Sequence, residues 1–325
     1  HSRVDCVECH IGPGAGWFVR AKLSGVRQVL AVATGSYHRP IDTPIQDLRP
    51  ARETCEQCHW PEKFHGDRLH TIPHFQEDEE NTELVTALLL RVGGGTVLGE
   101  AGPGIHWHTN PQNRVSYVST DDSRETIPWV RLETRDGKVE DFVAEDFEGL
   151  EELLTARPAR TMDCVDCHNR PTHVFETLPG AVDLALAEGR LDRDTPWLRR
   201  EAVRALRAAG DEGDDPTGRI REALEAAYAM RREAGVEVTP ADLDAAAQAL
   251  GVIWSRNVFP HMKVTWGTYK SFLGHADDGG CFRCHDGLHA SSSGRTISDD
   301  CETCHVILAE EEDPGALSEL LEGTQ

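Results

Sequence analysis

The chain has no cysteine outside one short recurring pattern. Its 10 cysteines fall in five copies of C-x-x-C-H, and these copies occupy residues 6–10, 55–59, 164–168, 281–285 and 301–305. No cysteine is left for a disulfide, a free nucleophile or a separate metal site. Aromatic residues make up only 6% of the sequence, which is lean for an ordinary hydrophobic core.

Long apolar segments and an excess of basic residues are also lacking. The longest apolar run, residues 84–90, is far shorter than the roughly 20 residues of a membrane-spanning helix. The 33 basic residues are outnumbered by 56 acidic ones, and the net charge of −23 argues against nucleic acid or an anionic membrane surface as the main partner. Because the acids are spread along the chain, we favour a role in solubility over docking to a basic partner protein.

The recurring pattern is the attachment signature of a c-type haem. Two cysteines form thioethers to the porphyrin, and the adjacent histidine becomes the proximal ligand of the iron. Zinc sites and redox C-x-x-C pairs are the alternatives, but neither requires a histidine after every second cysteine. The sequence therefore predicts five covalent haems, attached through Cys6, Cys9, Cys55, Cys58, Cys164, Cys167, Cys281, Cys284, Cys301 and Cys304 and ligated by His10, His59, His168, His285 and His305.

The histidines beyond the motifs decide how each iron is completed. Of 16 histidines, 11 remain after the proximal ones, and an iron with two protein ligands is low-spin and shuttles electrons. The candidate second ligands are His173, His275, His289, His1 and one of the pair His106 and His108. His173 and His289 follow their own motifs so closely that each is expected to ligate a neighbouring haem. Five second ligands for five irons predict a wholly low-spin protein. Surface or propionate-binding roles are expected for His38, His65, His70, His74 and His261.

The remaining pattern predicts an α+β, haem-dense fold, mostly helix and loop around the haems. A small β-rich insertion is expected near residues 82–147, where His106 and His108 would share one face of a strand. Its strands are expected at 114–120, 126–134 and 139–144, while residues 82–92 could be strand or buried helix. Helices are expected at 18–30, 181–188, 197–209, 219–233, from 240 to about 257, and in the acidic tail after 309. The predicted regions are an N-terminal dihaem region at 1–75, the insertion at 76–150, the third haem with helices at 151–260, and a C-terminal dihaem region at 261–325.

Four segments resemble the NapC/NirT family of multihaem cytochromes c, in a longer pentahaem variant. They are VDCVECH at 4–10, RETCEQCHWP at 52–61, CVDCHNRPTH at 164–173 and GCFRCHDGLH at 280–289. The resemblance implies a periplasmic electron carrier, usually held by one N-terminal helix, that takes electrons from quinol. The chain departs from better-known members in having five motifs, a long gap between the first two, and no methionine soon after His10.

The leading functional hypothesis is electron transfer through five closely spaced, mainly bis-histidine haems. It would run between a quinol pool or membrane donor and a periplasmic or extracellular acceptor, with redox proteins as partners. Because covalent haem attachment takes place outside the cytoplasm, we expect the periplasmic or extracellular side of a bacterial membrane, with an anchor that could precede His1. The alternatives are a quinol dehydrogenase subunit using Asp5, Glu8 or Lys22, and a homo-oligomeric haem filament joined through His1. A catalytic reductase ranks last, because all five motifs are C-x-x-C-H and their surroundings are acidic.

Overall fold

The computed structural model of the chain describes residues 4–11, 15–44, 51–97, 100–211, 213–275 and 279–322. Helices and sheets are both present, as the α+β prediction requires. The helices are α1 Cys6–His10, α2 Ala15–Thr34, α3 Ala51–Cys55, α4 Leu150–Ala156, α5 Leu178–Ala187, α6 Leu198–Ala209, α7 Pro216–Glu233, α8 Pro240–Asn257 and α9 Pro314–Glu322. The strands are β1 Arg68–Phe75, β2 Glu83–Leu90, β3 Thr96–Val97, β4 Glu100–Ala101, β5 Asn113–Val118, β6 Trp129–Thr134, β7 Val139–Ala144, β8 Arg160–Thr161, β9 His289–Ser291 and β10 His305–Glu312.

The chain divides into two compact units, each assembled from separate stretches of sequence. The first unit comprises residues 1–68, 90–174 and 270–306, and the second comprises 69–89, 175–269 and 307–325. All five C-x-x-C-H motifs fall in the first unit, so we call it the motif unit and the other the helical unit. The four regions predicted from the sequence do not coincide with these units.

The motif unit contains an antiparallel five-stranded sheet in the order β8-β5-β6-β7-β9. Strands β5, β6 and β7 confirm the strands predicted from alternation, and Gly137, at φ 82°, forms the turn between the last two. The sheet is not a self-contained insertion, however, because β8 and β9 come from after residue 150 and add to its two edges. Its buried side includes Val115, Tyr117 and Phe142.

The helical unit is built on apolar stripes with helical spacing. Leu198, Ala202 and Leu206 of α6 are each fully buried, in a core shared with α5, α7 and α8. The α8 helix begins as predicted, since Thr239 and Asp242 form a reciprocal capping box. These helices confirm the predicted ones to within a few residues at each end.

Two local predictions in the helical unit have definite outcomes. Residues 83–90, which the sequence left open, form strand β2 in a sheet of order β1-β2-β10. The acidic tail was predicted to be helical from 309, and this is wrong for its first residues, because β10 continues to Glu312. Pairing in the sheet outweighs the helical preference of the acidic residues, and α9 starts only at Pro314, which is favoured at the start of a helix.

Candidate haem-binding sites

Each motif lies on a short helical turn that places its chemically important residues together. The first motif forms α1, the second follows the end of α3, and 3₁₀ turns occupy Cys164–Asp166, Gly280–Arg283 and Cys301–Thr303 in the others. The amide of His168 donates to the carbonyl of Cys164 at 2.8 Å, and that of His59 donates to Cys55 at the same distance. Residues three and four apart in a helical turn share a face, so both cysteines and the histidine point to one side.

A 3₁₀ helix at Ile105–Thr109 replaces the strand predicted for His106 and His108. Successive residues of a 3₁₀ helix are turned by about 120°, so residues two apart point in different directions, whereas in a strand they would share a face. The tight loop at Gly94 supports this turn, because a Cβ there would lie 2.3 Å from the carbonyl carbon of His106. The two histidines therefore face two different motifs, although the sequence suggested that only one of them would serve.

Four motif histidines each lie opposite a histidine from elsewhere in the chain. The ring centres are 6.4 Å apart for His10 and His173, 6.2 Å for His168 and His106, 5.7 Å for His285 and His108, and 6.0 Å for His305 and His275. Each pair joins a histidine directly after a C-x-x-C to one of the second-ligand candidates. Three of the pairs join residues more than 60 positions apart in the sequence, and the fourth, His275 with His305, lies on opposite sides of the motif at 281–285.

These separations fit a metal ion held between two imidazoles. Metal–imidazole bonds of about 2 Å put the two bonded nitrogens about 4 Å apart, and the ring centres, each about 1 Å further back, about 6 Å apart. Direct stacking of two rings would bring the centres closer, and a hydrogen bond between them would need a nitrogen–nitrogen distance near 3 Å. The residues present therefore fit iron held between two histidines at four of the five motifs.

The ring nitrogens are oriented as such a ligand pair requires. Nδ1 of His108 contacts the carbonyl of Ile105 at 2.9 Å, and Nδ1 of His285 contacts that of Ser298 at 2.7 Å. Donation from these Nδ1 atoms leaves both Nε2 atoms as acceptors, and they face each other at 3.5 Å. Burial, followed by the nearby His285 and His106, lowers the pKa of His108 and favours the neutral imidazole that binds metals. His106 shows the same pattern, with Nδ1 2.6 Å from the carbonyl of Val92.

The cysteines connect the first three motifs in sequence order. The thiols of Cys55 and Cys164 share a hydrogen bond, which raises the pKa of Cys55 and lowers that of Cys164. The charge of Cys9 also raises the pKa of Cys55, and helices α1 and α3 are in contact. The first, second and third attachment sites are thus neighbours.

The same order continues to the last two motifs. Burial, opposed by the charge of Arg283 and helped by the nearby Cys281, raises the pKa of Cys167 to about 12. Burial likewise raises the pKa of Cys284 to about 12, with a smaller contribution from Cys167. Burial and then Cys281 raise the pKa of Cys304. These electrostatic effects therefore place cysteines of the third and fourth motifs, and of the fourth and fifth, near one another.

A buried carboxylate inside the third motif ties it to the fourth. Asp166 accepts from Tyr117 Oη at 2.5 Å, Arg160 Nε at 2.8 Å and Arg124 Nη1 at 3.2 Å. Arg283, inside the fourth motif, donates to the backbone carbonyl of Asp166 at 2.6 Å and to that of Arg124 at 2.9 Å. This cluster was not predicted from the sequence, although Arg283 is the one basic residue between the cysteines of any motif and could have drawn attention to it.

The other predicted ligands have different surroundings. His289 is buried, and its Nδ1 and Nε2 lie 2.8 Å from Asp286 Oδ1 and 2.7 Å from the carbonyl of Ile127. With both nitrogens facing oxygen acceptors, neither presents a lone pair to a metal in this arrangement. His1 lies outside the described residues. His59 is close enough to His168 to lower its pKa, after burial and His106, but it is not part of the four facing pairs.

The residues proposed for quinol chemistry lie on two helices of the motif unit. Lys22 lies on α2 with its Nζ 5.1 Å from the ring centre of Phe18. Asp5 precedes α1 as its N-cap residue, and the carbonyl of Glu8 accepts from the Thr54 hydroxyl at 3.4 Å. None of the helices in the described ranges is long and apolar enough to cross a membrane.

Repeated thioether-forming motifs beside facing imidazoles are the features of a c-type cytochrome, in which haem iron is covalently bound. The comparisons with known proteins support this class. The chain is 42% identical over 310 residues to the cytochrome c-type protein ImcH of Geobacter sulfurreducens, and the alignment covers 95% of this chain and 61% of that protein. The chain thus spans about three-fifths of the length of this relative. No protein-family model matches the chain, and no solved structure matches it.

Proposed function

We propose that the protein is an electron carrier with five covalently attached haems. The observation that supports this most directly is the set of four facing histidine pairs, each joining a motif histidine to a second imidazole. Haem iron held between two imidazoles accepts and releases one electron without opening a position for substrate. A carrier of this kind needs closely spaced sites and no bond-making residues.

The proposed ligand pairs cross between motifs. His173 follows the third motif by five residues but faces His10 of the first, as the spacing had suggested it would reach a neighbouring haem. His275 precedes the fourth motif but faces His305 of the fifth. His106 and His108 extend from one 3₁₀ turn to the third and fourth motifs. In this proposal, a histidine that comes from one part of the chain and ligates the haem of another fixes the distance between those two parts. His289 is not a ligand.

The electrostatic effects between cysteines of successive motifs support the proposed order of electron passage. The links from Cys9 to Cys55, from Cys55 to Cys164, from Cys167 to Cys281 and from Cys281 to Cys304 support a single path from the first haem to the fifth. We propose redox proteins as partners at its two ends and a location on the periplasmic or extracellular side of a bacterial membrane. From the sequence resemblance we also propose that the protein belongs to a NapC/NirT-like group and that quinol is its electron donor. A haem filament is a separate proposal, which rests on the spacing of the motifs along the chain.

Haem counting and spectroscopy of ligand variants test this function. Mass spectrometry of the intact protein should show five haems, and electron paramagnetic resonance of the oxidised protein should show low-spin signals for the four paired irons. His106→Ala should convert one of these signals to high-spin, and His275→Ala a different one, while the matched variant His261→Ala should leave the spectrum unchanged. Unchanged low-spin signals in both ligand variants would contradict the proposed pairs.

A further inference from the structure

Helix α2 presents to solvent the apolar side chains that a helix of a globular protein buries. Leu23 is 67% exposed, Val26 60% and Leu30 60%, and none of the helix residues, all of which the structure describes, is buried. The partly covered positions are Trp17, Ala21, Ser24, Gly25 and Ala31. The helix therefore rests on its smaller and more polar side and exposes its apolar side.

The exposed residues form a continuous face. Val19, Leu23, Val26 and Leu30 follow the spacing i, i+4, i+7 and i+11, which places them along one side of a helix. Val29 borders this face and is exposed, whereas Phe18 and Val32, which are also exposed, lie further round the helix. Single exposed apolar residues are normal, but a contiguous apolar face that runs from Val19 to Leu30 marks an interaction surface.

The first haem can cover only the beginning of this face. The helix starts five residues after His10 and runs for 20 residues, or about 30 Å at 1.5 Å per residue. Val26 and Leu30 thus lie about 16 Å and 22 Å along the axis from Ala15. Most of the apolar face therefore lies beyond the reach of the porphyrin of the first motif.

The charge of the helix is opposite to that of the chain as a whole. Residues 15–34 contain Arg20, Lys22 and Arg27 and no acidic residue, while the chain carries a net charge of −23. Charges more than about 8 Å away are largely screened at physiological ionic strength, so the surface nearest the helix meets mainly its three cations. An apolar face with cations beside it is the pattern of helices that lie in the plane of a membrane interface.

We propose that α2 lies flat in the headgroup region of a lipid membrane containing anionic lipids. Val19, Leu23, Val26 and Leu30 would face the acyl chains, while Arg20 and Arg27 contact anionic headgroups. The helix covers the surface and does not cross it. The contact would hold the first haem close to the membrane plane, and it is independent of whether the chain carries electrons.

A second copy of the chain fits this surface less well. A two-fold contact between α2 helices would bring the same cations of both copies together, and it would also bring together two molecules of net charge −23. Anionic lipids instead neutralise the cations while accepting the apolar face. The pattern of charge therefore favours lipid over self-association.

Vesicle sedimentation of the haem-loaded protein tests the proposal. At 0.15 M salt we expect binding to phosphatidylcholine vesicles that contain phosphatidylglycerol, followed by Soret absorbance in the pellet. The double variant Leu23→Glu/Leu30→Glu should weaken binding at least about tenfold, because two apolar side chains leave the interface. Arg20→Gln/Arg27→Gln should weaken binding about tenfold on anionic vesicles and little on pure phosphatidylcholine.

A matched control makes the same chemical change at exposed apolar residues elsewhere. Met230→Glu/Val252→Glu alters side chains that are 72% and 50% exposed in the helical unit, and it should leave vesicle binding unchanged. Equal loss in this control, or no vesicle binding by the unaltered protein, would overturn the proposal. So would light scattering that shows a dimer which Leu23→Glu/Leu30→Glu converts to a monomer, because the face would then join two copies.

Discussion

The two units of this protein are stabilised by different means. The helical unit has a large apolar cluster that runs through α5, α6, α7 and α8. The motif unit has a small cluster around Val115, Tyr117, Val130 and Phe142, together with the buried charges around Asp166. It also contains every C-x-x-C-H motif. Side chains alone account for the packing of the helical unit, whereas we expect the proposed haems to complete the core of the motif unit.

Removal of the haems should produce the largest contrast between the units. A variant with all 10 cysteines replaced by alanine cannot form thioethers, so the motif unit should lose most of its apolar contacts. Hydrogen exchange should show amides of β5 and β6 losing protection by more than about tenfold, while amides of α6 and α8 remain protected. Equal loss of protection in both units would contradict this division.

Two buried aspartates allow a matched comparison of charge. Asp166 is held by Arg160 and Arg124 in the motif unit, and Asp183 is held by Arg199 at 3.0 Å and 3.3 Å in the helical unit. Replacement of either by asparagine removes one carboxylate partner of these arginines, although Arg160 keeps Asp163 and Arg199 keeps Glu77, and it should cost up to about 3 kcal/mol of unfolding free energy. We expect only Asp166→Asn to raise a haem midpoint potential, because it removes a negative charge inside a motif. Spectroelectrochemical titration measures this, and an equal shift in Asp183→Asn would contradict it.

A core substitution in the helical unit should have a slightly smaller effect. Leu206 is fully buried in the apolar cluster, so Leu206→Ala should lower the free energy of unfolding by about 2–5 kcal/mol. Urea titration followed by circular dichroism at the helical wavelengths measures this, and Met230→Ala at an exposed position of α7 is the control. The Soret band of the same samples reports the motif unit. If Leu206→Ala shifts the circular dichroism transition and the Soret transition to the same extent, the two units do not unfold separately.

The smallest expected effect concerns the start of α8. Thr239→Ala removes one half of the capping box and should cost about 1 kcal/mol. The hydrogen bonds from Thr239 lower the pKa of Asp242. Their contribution to the free energy of unfolding is therefore present at pH values above the usual pKa of a carboxyl group, and it is lost as the pH falls through the lowered pKa. The difference between the original protein and Thr239→Ala should therefore narrow in acid. Urea titrations at pH 7 and pH 3 test this, and a constant difference would contradict it.

Local sequence rules predicted helices, strands and turns well where nearby residues determine the backbone conformation. The capping residues of α8 and the turn at Gly137 lie where they were expected, and the apolar spacing of α6 was read correctly. Prediction failed where long-range pairing decides the conformation. The residues from Ala309 to Glu312 extend because a neighbouring strand pairs with them, and the turn at Ile105–Thr109 depends on the loop at Gly94.

The sequence by itself determined the chemistry of this protein. Ten cysteines in five C-x-x-C-H motifs predict covalent haem attachment and the proximal histidines, because the attachment signature lies within one helical turn. Only the tertiary structure decided which second histidine faces which motif. That choice joins residues as distant as His10 and His173 or His108 and His285, and it depends on the path of the chain between them, which spacing alone does not reveal.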